Sequence, residues 1–249
     1  QEHAIDQLIE ENQLFADETG MNVDGINFWA HTVSSEKYTL MIPHMKRGKE
    51  AIIAAGILTN YNGYLCHDFW ASYTELDVIH IACHAHLRRE FDKVAIDYKQ
   101  GWAKKLKDLL WKANEERLSD EGGLCWKRIQ YYQRRYFQLI EQAEKLNPMN
   151  KKRITVRGKI AQSYPRRLLK RLREKSSWVL LFMYDPAIPF TNNLVEQNQR
   201  MLKVNQKVAG GYRSVQGLID LCLIRSYTQS MQKQGVSVHA ALEELMRET

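Results

Sequence analysis

Three carboxylates fall on separate elements of a fold, Asp17 within a first strand, Asp68 at the end of a later one and Glu196 on a helix. Asp17 follows the apolar run Leu14-Phe15-Ala16 and opens Glu18-Thr19-Gly20, and Asp68 closes Tyr64-Leu65-Cys66-His67. Glu196 sits in Thr191-Asn192-Asn193-Leu194-Val195-Glu196. Acids that converge from different elements onto one edge of a fold suit phosphodiester chemistry. That chemistry needs charge neutralised on the attacking and the leaving oxygen, which two divalent ions about 3.5–4 Å apart provide. Mg²⁺ is hard, takes oxygen ligands and keeps several waters, so three carboxylates suffice to hold it. On a helix turning about 100° per residue, Glu196, Arg200, Lys203 and Lys207 fall within about 60° of one another. Leu194, Val195, Met201, Leu202 and Val208 take the opposite side, so one acid is followed along its own face by three cations.

The same residues have ordinary readings. Asn193-x-x-Glu196 makes a capping box with Glu196 at the third helical position. Glu196 and Arg200 make an i,i+4 ion pair. Asp17 before Glu18-Thr19-Gly20 makes a strand end entering a turn. Spacing alone leaves these readings open.

The elements that must position these acids read as follows. Gln1 to Asn12 is the tail of a helix, and the chain opens without an initiator Met, as a fragment or processed form would. Strands are expected at Gln13 to Gly20, at Ile26 to Val33 after the Asp24-Gly25 turn, and at Tyr38 to Ile42, stopping at Pro43. A helix is expected over Arg47 to Leu58, then short apolar strands at Gly63 to His67 and Val78 to Cys83, and a helix over Leu87 to Tyr98. Strands separated by helices pair in parallel. The expected fold is therefore α/β, a mixed sheet of three antiparallel and then two parallel strands flanked by helices. Trp102 to Leu146 is helical and broken at Gly122-Gly123, and Asn150 to Arg173 continues as a basic stretch. Helices over Asn193 to Val208, Ser214 to Gln232 and His239 to Arg247 end the chain. This divides it into a first part of the core at 1–98, a basic all-helical insertion at 99–185, and helices completing the core at 186–249.

Charge follows that division. The chain of 249 residues has a net charge of +7, yet Lys99 to Leu180 holds 22 Lys and Arg against 8 Asp and Glu. The segment carries +14 and the remainder −7. Like charges so concentrated call for something negative against them, and a phosphate backbone is the obvious candidate. A solvated helical surface is the ordinary alternative. No apolar run reaches the length of a bilayer-spanning helix, and no signal peptide opens the chain. No nucleophile elbow, P-loop or dinucleotide fingerprint is present. Four cysteines without a paired framework point to a reducing compartment. Cys66-His67 and Cys83-His84-Ala85-His86 gather soft ligands, but without the C-x₂₋₄-C spacing of zinc sites. Cys66 and Cys83 read as small buried hydrophobes. Arg88, Arg89 and Glu90 read as a surface ion-pair set.

Five words occur in order: Ala16-Asp17-Glu18-Thr19-Gly20, Leu65-Cys66-His67-Asp68-Phe69-Trp70, Cys83-His84-Ala85-His86-Leu87-Arg88-Arg89-Glu90, Thr191 through Lys207, and Gly210-Gly211-Tyr212-Arg213-Ser214. The series resembles the transposases of the IS-sixty-six family of bacterial insertion sequences, along essentially the whole chain and most densely over Asn192 to Ser214. The resemblance implies a ribonuclease-H-like fold and a DDE triad at Asp17, Asp68 and Glu196 holding Mg²⁺ or Mn²⁺, two ions in all. It implies cleavage of a DNA strand to release a 3′-hydroxyl, which then attacks a target strand. The 128 positions between Asp68 and Glu196 fit a helical insertion there, where the basic segment lies. The implied partner is double-stranded DNA, both transposon ends and target, with no membrane, a homo-oligomer on DNA and accessory proteins from the same element. The implied location is the bacterial cytoplasm, with the nucleoid. Arg200, Lys203, Lys207 and Arg213 are the expected phosphate contacts, and Gly210-Gly211 either brings backbone close to DNA or ends a helix. His67 and His86 either contact DNA or tune the metal site. Such proteins also carry an N-terminal DNA-binding region and a zinc-finger-like segment, neither of which is visible in this sequence. The alternatives are a nuclease of the same fold without strand transfer and an inactive DNA-binding remnant.

Overall fold

A computed structural model describes residues 2–119, 122–150 and 161–247. Residues 151–160, within the basic stretch, lie outside the described residues. The chain divides into two compact units, Gln1–His80 with Asn192–Thr249, and Ile81–Thr191. In chain order come helix α1 (Glu2–Glu10), strands β1 (Gln13–Val23), β2 (Ile26–Ser34) and β3 (Thr39–His44), and helix α2 (Lys49–Ala55). Strand β4 (Tyr64–His67), helix α3 (Ala71–Thr74), strand β5 (Ile79–Ala82) and helix α4 (His84–Asp97) follow. Then come α5 (Gly101–Ser119), α6 (Trp126–Leu146), α7 (Tyr164–Glu174), α8 (Ser176–Leu180), α9 (Asn193–Ala209), α10 (Val215–Lys233) and α11 (Val238–Arg247). No described helix is long and apolar enough to cross a membrane.

The five strands form one mixed sheet in the order β3-β2-β1-β4-β5. β1 pairs antiparallel with β2 and β2 with β3, while β1 pairs parallel with β4. The β1–β2 hairpin closes in two residues, Asp24 at φ 48° and Gly25 at φ 78°, the left-handed pair that a tight turn between twisted strands requires. Its twofold periodicity splits the core of this unit between the two faces of the sheet. On one face Leu14, Ala16, Val33 and Leu40 pack with Leu8, Ile52, Leu65 and Tyr73. On the other, Met21, Val23, Phe28, Ala30 and Met41 pack with Leu202, Leu218 and Cys222.

The third strand does not stop at Pro43 as expected; it runs through it to His44. β3 is an edge strand, and the amides of Thr39 and Met41 face away from β2, donating to Ser230 Oγ at 2.9 Å and Ser226 Oγ at 2.8 Å. Pro43 falls in the same alternating set, so the N–H it lacks would have pointed outward and is not missed. The two serines of α10 take the place of a sixth strand. Each also bonds the helical carbonyl four residues back, Cys222 and Ser226 respectively. Covering an open sheet edge in this way removes a template for pairing with another chain.

In the unit Ile81–Thr191, α5 buries Trp102, Leu106 and Leu110, and α6 buries Ile129, Tyr136 and Ile140. Buried Arg117 donates to the carbonyls of Ile188 at 2.7 Å and Pro186 at 3.2 Å, tying down the loop that follows the short helices. His84 is a core residue here. It stacks on Phe190 at 4.0 Å with Nδ1 on the Phe190 carbonyl, and burial pushes its pKa down to about 3.

Replacing both Ser226 and Ser230 by Ala leaves the outward amides of Thr39 and Met41 buried without acceptors. The double variant should lose about 1–3 kcal/mol per orphaned amide in urea unfolding, with faster hydrogen exchange at those two amides. Unchanged exchange there would show that water replaces the serines.

Candidate functional site

The alternation of β1 decides which acid faces which helix. Asp17 shares a face with Met21 and Val23, the face that packs against Leu202 of α9 and Leu218 of α10. Glu18 points the other way, into the cluster of Tyr73 and Leu65, and is buried. β4 pairs with β1 in the register Gln13 with Tyr64, Leu14 with Leu65 and Phe15 with Cys66. Two places further along that register, Asp68 leaves β4 level with Asp17. Its Oδ1 accepts the Trp70 amide at 2.8 Å, and Asp17 Oδ1 accepts the Glu18 amide at 2.9 Å. Among the described residues, Oδ2 of each makes no hydrogen bond.

Glu196 reaches this edge because α9 is tethered to β1 at both ends of its first three turns. Buried Asn192 donates from Nδ2 to the Ala16 carbonyl at 3.0 Å, one residue from Asp17. Lys203 donates from Nζ to the Gly20 carbonyl. The helix begins at Asn193 with Asn192 as its cap, and that side chain makes no capping bond. Glu196 is therefore in the fourth helical position, outside the capping box that the spacing allows. The cap residue has been given to the sheet instead.

Electrostatics tie the three acids together. Burial first, and then the charges of Glu18, Asp68 and Glu196, raise the Asp17 pKa from 3.8 to about 7; only the Glu18 amide opposes them. A buried carboxyl with other acids beside it holds its proton more tightly. Thr32, the cross-strand partner of Asp17, and Gln199, one turn after Glu196, are both buried. Their Oγ1 and Nε2 atoms make no hydrogen bond. Hard oxygen donors, excess negative charge and unsatisfied polar atoms fit a hydrated divalent cation of the Mg²⁺ or Mn²⁺ kind.

The cations of α9 separate. Arg200 and Lys207 are exposed, as is Arg213 beyond the helix. Lys203 is half-buried on Gly20, and burial and then Lys207 lower its pKa. Val195 and Leu202 are buried as expected, but Met201 is 39% and Val208 85% exposed. A narrow stripe of Val195, Gln199, Leu202 and Lys203, with Asn198 beside it, meets the sheet, so the apolar side read from the helical wheel is wider than the contact. Gly210 at φ 75° ends α9. Tyr212 then exchanges backbone bonds of 2.8 Å with Asn22 and Asp24, so the glycine pair is a helix-ending turn that docks on the hairpin.

Sequence reasoning missed the layer behind the acids. Glu18 accepts from Arg47 Nε at 2.6 Å and from the Tyr73 hydroxyl at 2.7 Å. Burial pushes its pKa up, and Tyr73 and Arg47 oppose that rise. Two adjacent acids in an alternating strand are the signal that would have found it, since one of them must face the core. Behind Asp68, His67 Nε2 lies 2.8 Å from His80 Nδ1, and His80 Nε2 lies 3.2 Å from the Leu76 carbonyl. Cys66 and Cys83 are buried.

These features define an α/β protein with a sheet-edge cluster of acids. The profile of the Transposase IS66 family matches residues 1–219, and the chain belongs to that family, the one its motif series resembles. No curated protein matches it. One solved structure similar in part is described as the simian T-cell lymphotropic virus intasome in complex with PP2A regulatory subunit B56 gamma. Identity is 11% over 65% of this chain and 55% of that chain, with a TM-score of 0.26, too low to carry a likeness of fold.

The raised pKa of Asp17 has a definite sign. A group that holds its proton more tightly in the folded state stabilises the fold below 3.8, and that contribution is lost as pH climbs to about 7. Asp17→Asn cannot ionise, so without divalent cations it should melt above the wild type near pH ~8 and level with it near pH ~4. A gain on the order of 1 kcal/mol corresponds to about 2–4 °C for a chain of this size. Melting curves that stay superimposed across that range would remove the electrostatic argument.

Proposed function

We propose that this chain is the catalytic part of a DDE transposase, in which Asp17, Asp68 and Glu196 hold Mg²⁺ or Mn²⁺, two ions in all, for cleavage and strand transfer of insertion-sequence DNA. Membership of a transposase family supports the role. The observation that supports the chemistry is the raised pKa of Asp17, caused first by its burial and then by the charges of Glu18, Asp68 and Glu196. The sheet order and its mixture of antiparallel and parallel pairs support a ribonuclease-H-like core into which a helical segment is inserted. Bound to these acids, divalent ions supply charge neutralisation at the attacking and leaving oxygens of a phosphodiester.

The chain's own residues orient and hold. The amides of Glu18 and Trp70 each hold one oxygen, Oδ1 of Asp17 and Oδ1 of Asp68. Asn192 and Lys203 hold α9 against β1, so that Glu196 is carried by a fixed helix. Arg200, Lys207 and Arg213 are exposed and suited to phosphate oxygens, whereas Lys203 spends its ammonium on Gly20. On the helical unit, exposed Lys104, Lys105 and Lys112 of α5 and Arg134 and Arg135 of α6 suit the backbone of the same double-stranded DNA. Assembly of two or more protomers on that DNA belongs to the same reading, as do accessory proteins from the same element.

The test uses labelled insertion-sequence ends with Mg²⁺ or Mn²⁺. Glu196→Gln should lose cleavage and strand transfer by a factor of about 10² or more while retaining DNA binding, because it removes a charged ligand and little volume. Cleavage at the wild-type rate would exclude the assignment, and cleavage without strand transfer by the wild type would favour a nuclease. Separately, log affinity for DNA should fall linearly with log salt. Removing one phosphate-contacting cation, in Arg200→Gln, should make that slope shallower by about 0.9. A slope left unchanged would take Arg200 off the DNA.

A further inference from the structure

Arg47 is a cation beside the acids with no part in the chemistry above. It lies between the end of β3 and the start of α2, and its guanidinium carbon sits 3.7 Å from the ring centre of Trp70 and 4.8 Å from that of Trp29. Its Nε donates to Glu18 Oε1 at 2.6 Å, and Tyr73 closes the other oxygen of that carboxylate at 2.7 Å. The Glu18 side chain is 1% exposed and that of Arg47 33%. Residues 18 and 70, which Arg47 grips by charge and by stacking, are also the two whose backbone amides bind Asp17 Oδ1 and Asp68 Oδ1. Tyr73 adds a second connection, since its amide bonds the Trp70 carbonyl at 3.1 Å while its hydroxyl bonds Glu18. One guanidinium thus joins the strand that carries Asp17 to the turn that carries Asp68.

We propose that Arg47 is a positioning residue for the carboxylate site, clamping Glu18 and Trp70 so that the amides behind Asp17 and Asp68 hold both acids in place for a divalent cation. The role rests on the three-carboxylate reading and extends it to residues the motif series does not single out. The planar guanidinium is what the place requires. A guanidinium can lie over an indole while donating in its own plane, and a lysine ammonium can do only one of these at a time. Outer groups that orient metal ligands change metal affinity by about 10–100-fold when removed.

The experiment is Mn²⁺ binding by titration calorimetry to the full chain, with metal-free thermal melts as the check on folding. The proteins compared are the wild type, Arg47→Ala, Arg47→Lys and Asp68→Asn. Arg47→Ala should weaken Mn²⁺ by about tenfold or more, and Arg47→Lys by a smaller but measurable factor with its metal-free melt near that of the wild type. Asp68→Asn should lose binding. Should Arg47→Ala fail to fold with its buried partner unpaired, Arg47→Lys decides the matter, because it keeps the charge and removes the plane. Wild-type affinity in Arg47→Lys overturns the planar clamp. Wild-type affinity in both Arg47 variants, with Asp68→Asn impaired, overturns the positioning role and leaves the site standing. Wild-type affinity in Asp68→Asn overturns the site and this role with it.

Discussion

Two adjacent acids, Asp17 and Glu18, lie in one strand that is covered on both faces, and the surrounding structure answers that constraint. Alternation sends them in opposite directions, so each needs its own solution. Glu18 receives one within the chain, a guanidinium and a phenol on its two oxygens. Asp17 does not, because the charges that act on it most are those of Glu18, Asp68 and Glu196. A fold that answers one buried acid and packs acids around its neighbour stores unfavourable electrostatics at one point. In the proposed function, positive charge from outside the chain would relieve it, and that links the strand pattern to the proposed chemistry.

The unit that carries the acids is built from two stretches separated by the whole helical unit, Gln1–His80 and Asn192–Thr249. Apolar packing alone holds a helix on a sheet but lets it slide, and a slide of one turn would carry Glu196 away by about 5.4 Å. Directional bonds set the register instead. Asn192 meets Ala16, Lys203 meets Gly20, and Asn198 reaches Ser34 and Thr39 at 3.1 Å. On α10, Ser226 and Ser230 take the edge amides of β3, and Lys233 bonds the Ser35 and Tyr38 carbonyls in the turn before it. Burial pulls the Lys233 pKa down to about 8, the cost of using an ammonium as a structural donor. Most of these partners are strand or turn carbonyls and amides, which every sequence supplies.

That reliance on backbone explains what could be read from the sequence and what could not. The hairpin turn at Asp24-Gly25, the short strand ending at Asp68 and the helix bearing Glu196 follow from local periodicity and turn chemistry, and they occur as read. The end of β3 could not be read, because Pro43 is tolerable only on an edge and edge position is a tertiary fact. Lys203 looks like its neighbours Arg200 and Lys207 on a helical wheel, and only the placement of β1 turns its ammonium inward. Arg47 carries no local signal, since its partners lie 29 and 23 positions away in sequence, at Glu18 and Trp70. Asn192 and Asn193 both look like caps, and the one at the cap position spends its side chain elsewhere.

The charge of the helical unit needs the same care. The segment Lys99 to Leu180 carries +14, but part of that charge is consumed in holding helices together. Arg128 is paired with Glu116, Arg173 and Arg166 with Glu144, and Arg171 with Glu90. Arg117 is buried among loop carbonyls. These cations are structural, and a count taken from sequence credits them to the surface. Lys104, Lys105, Lys112, Arg134 and Arg135 are exposed on α5 and α6, and none of them makes an ion pair among the described residues. Phosphate contacts are valued by the counterions they release, so an exposed cation contributes where one already paired inside the protein does not. Among the described residues, the total charge therefore overstates what is exposed and unpaired on this unit.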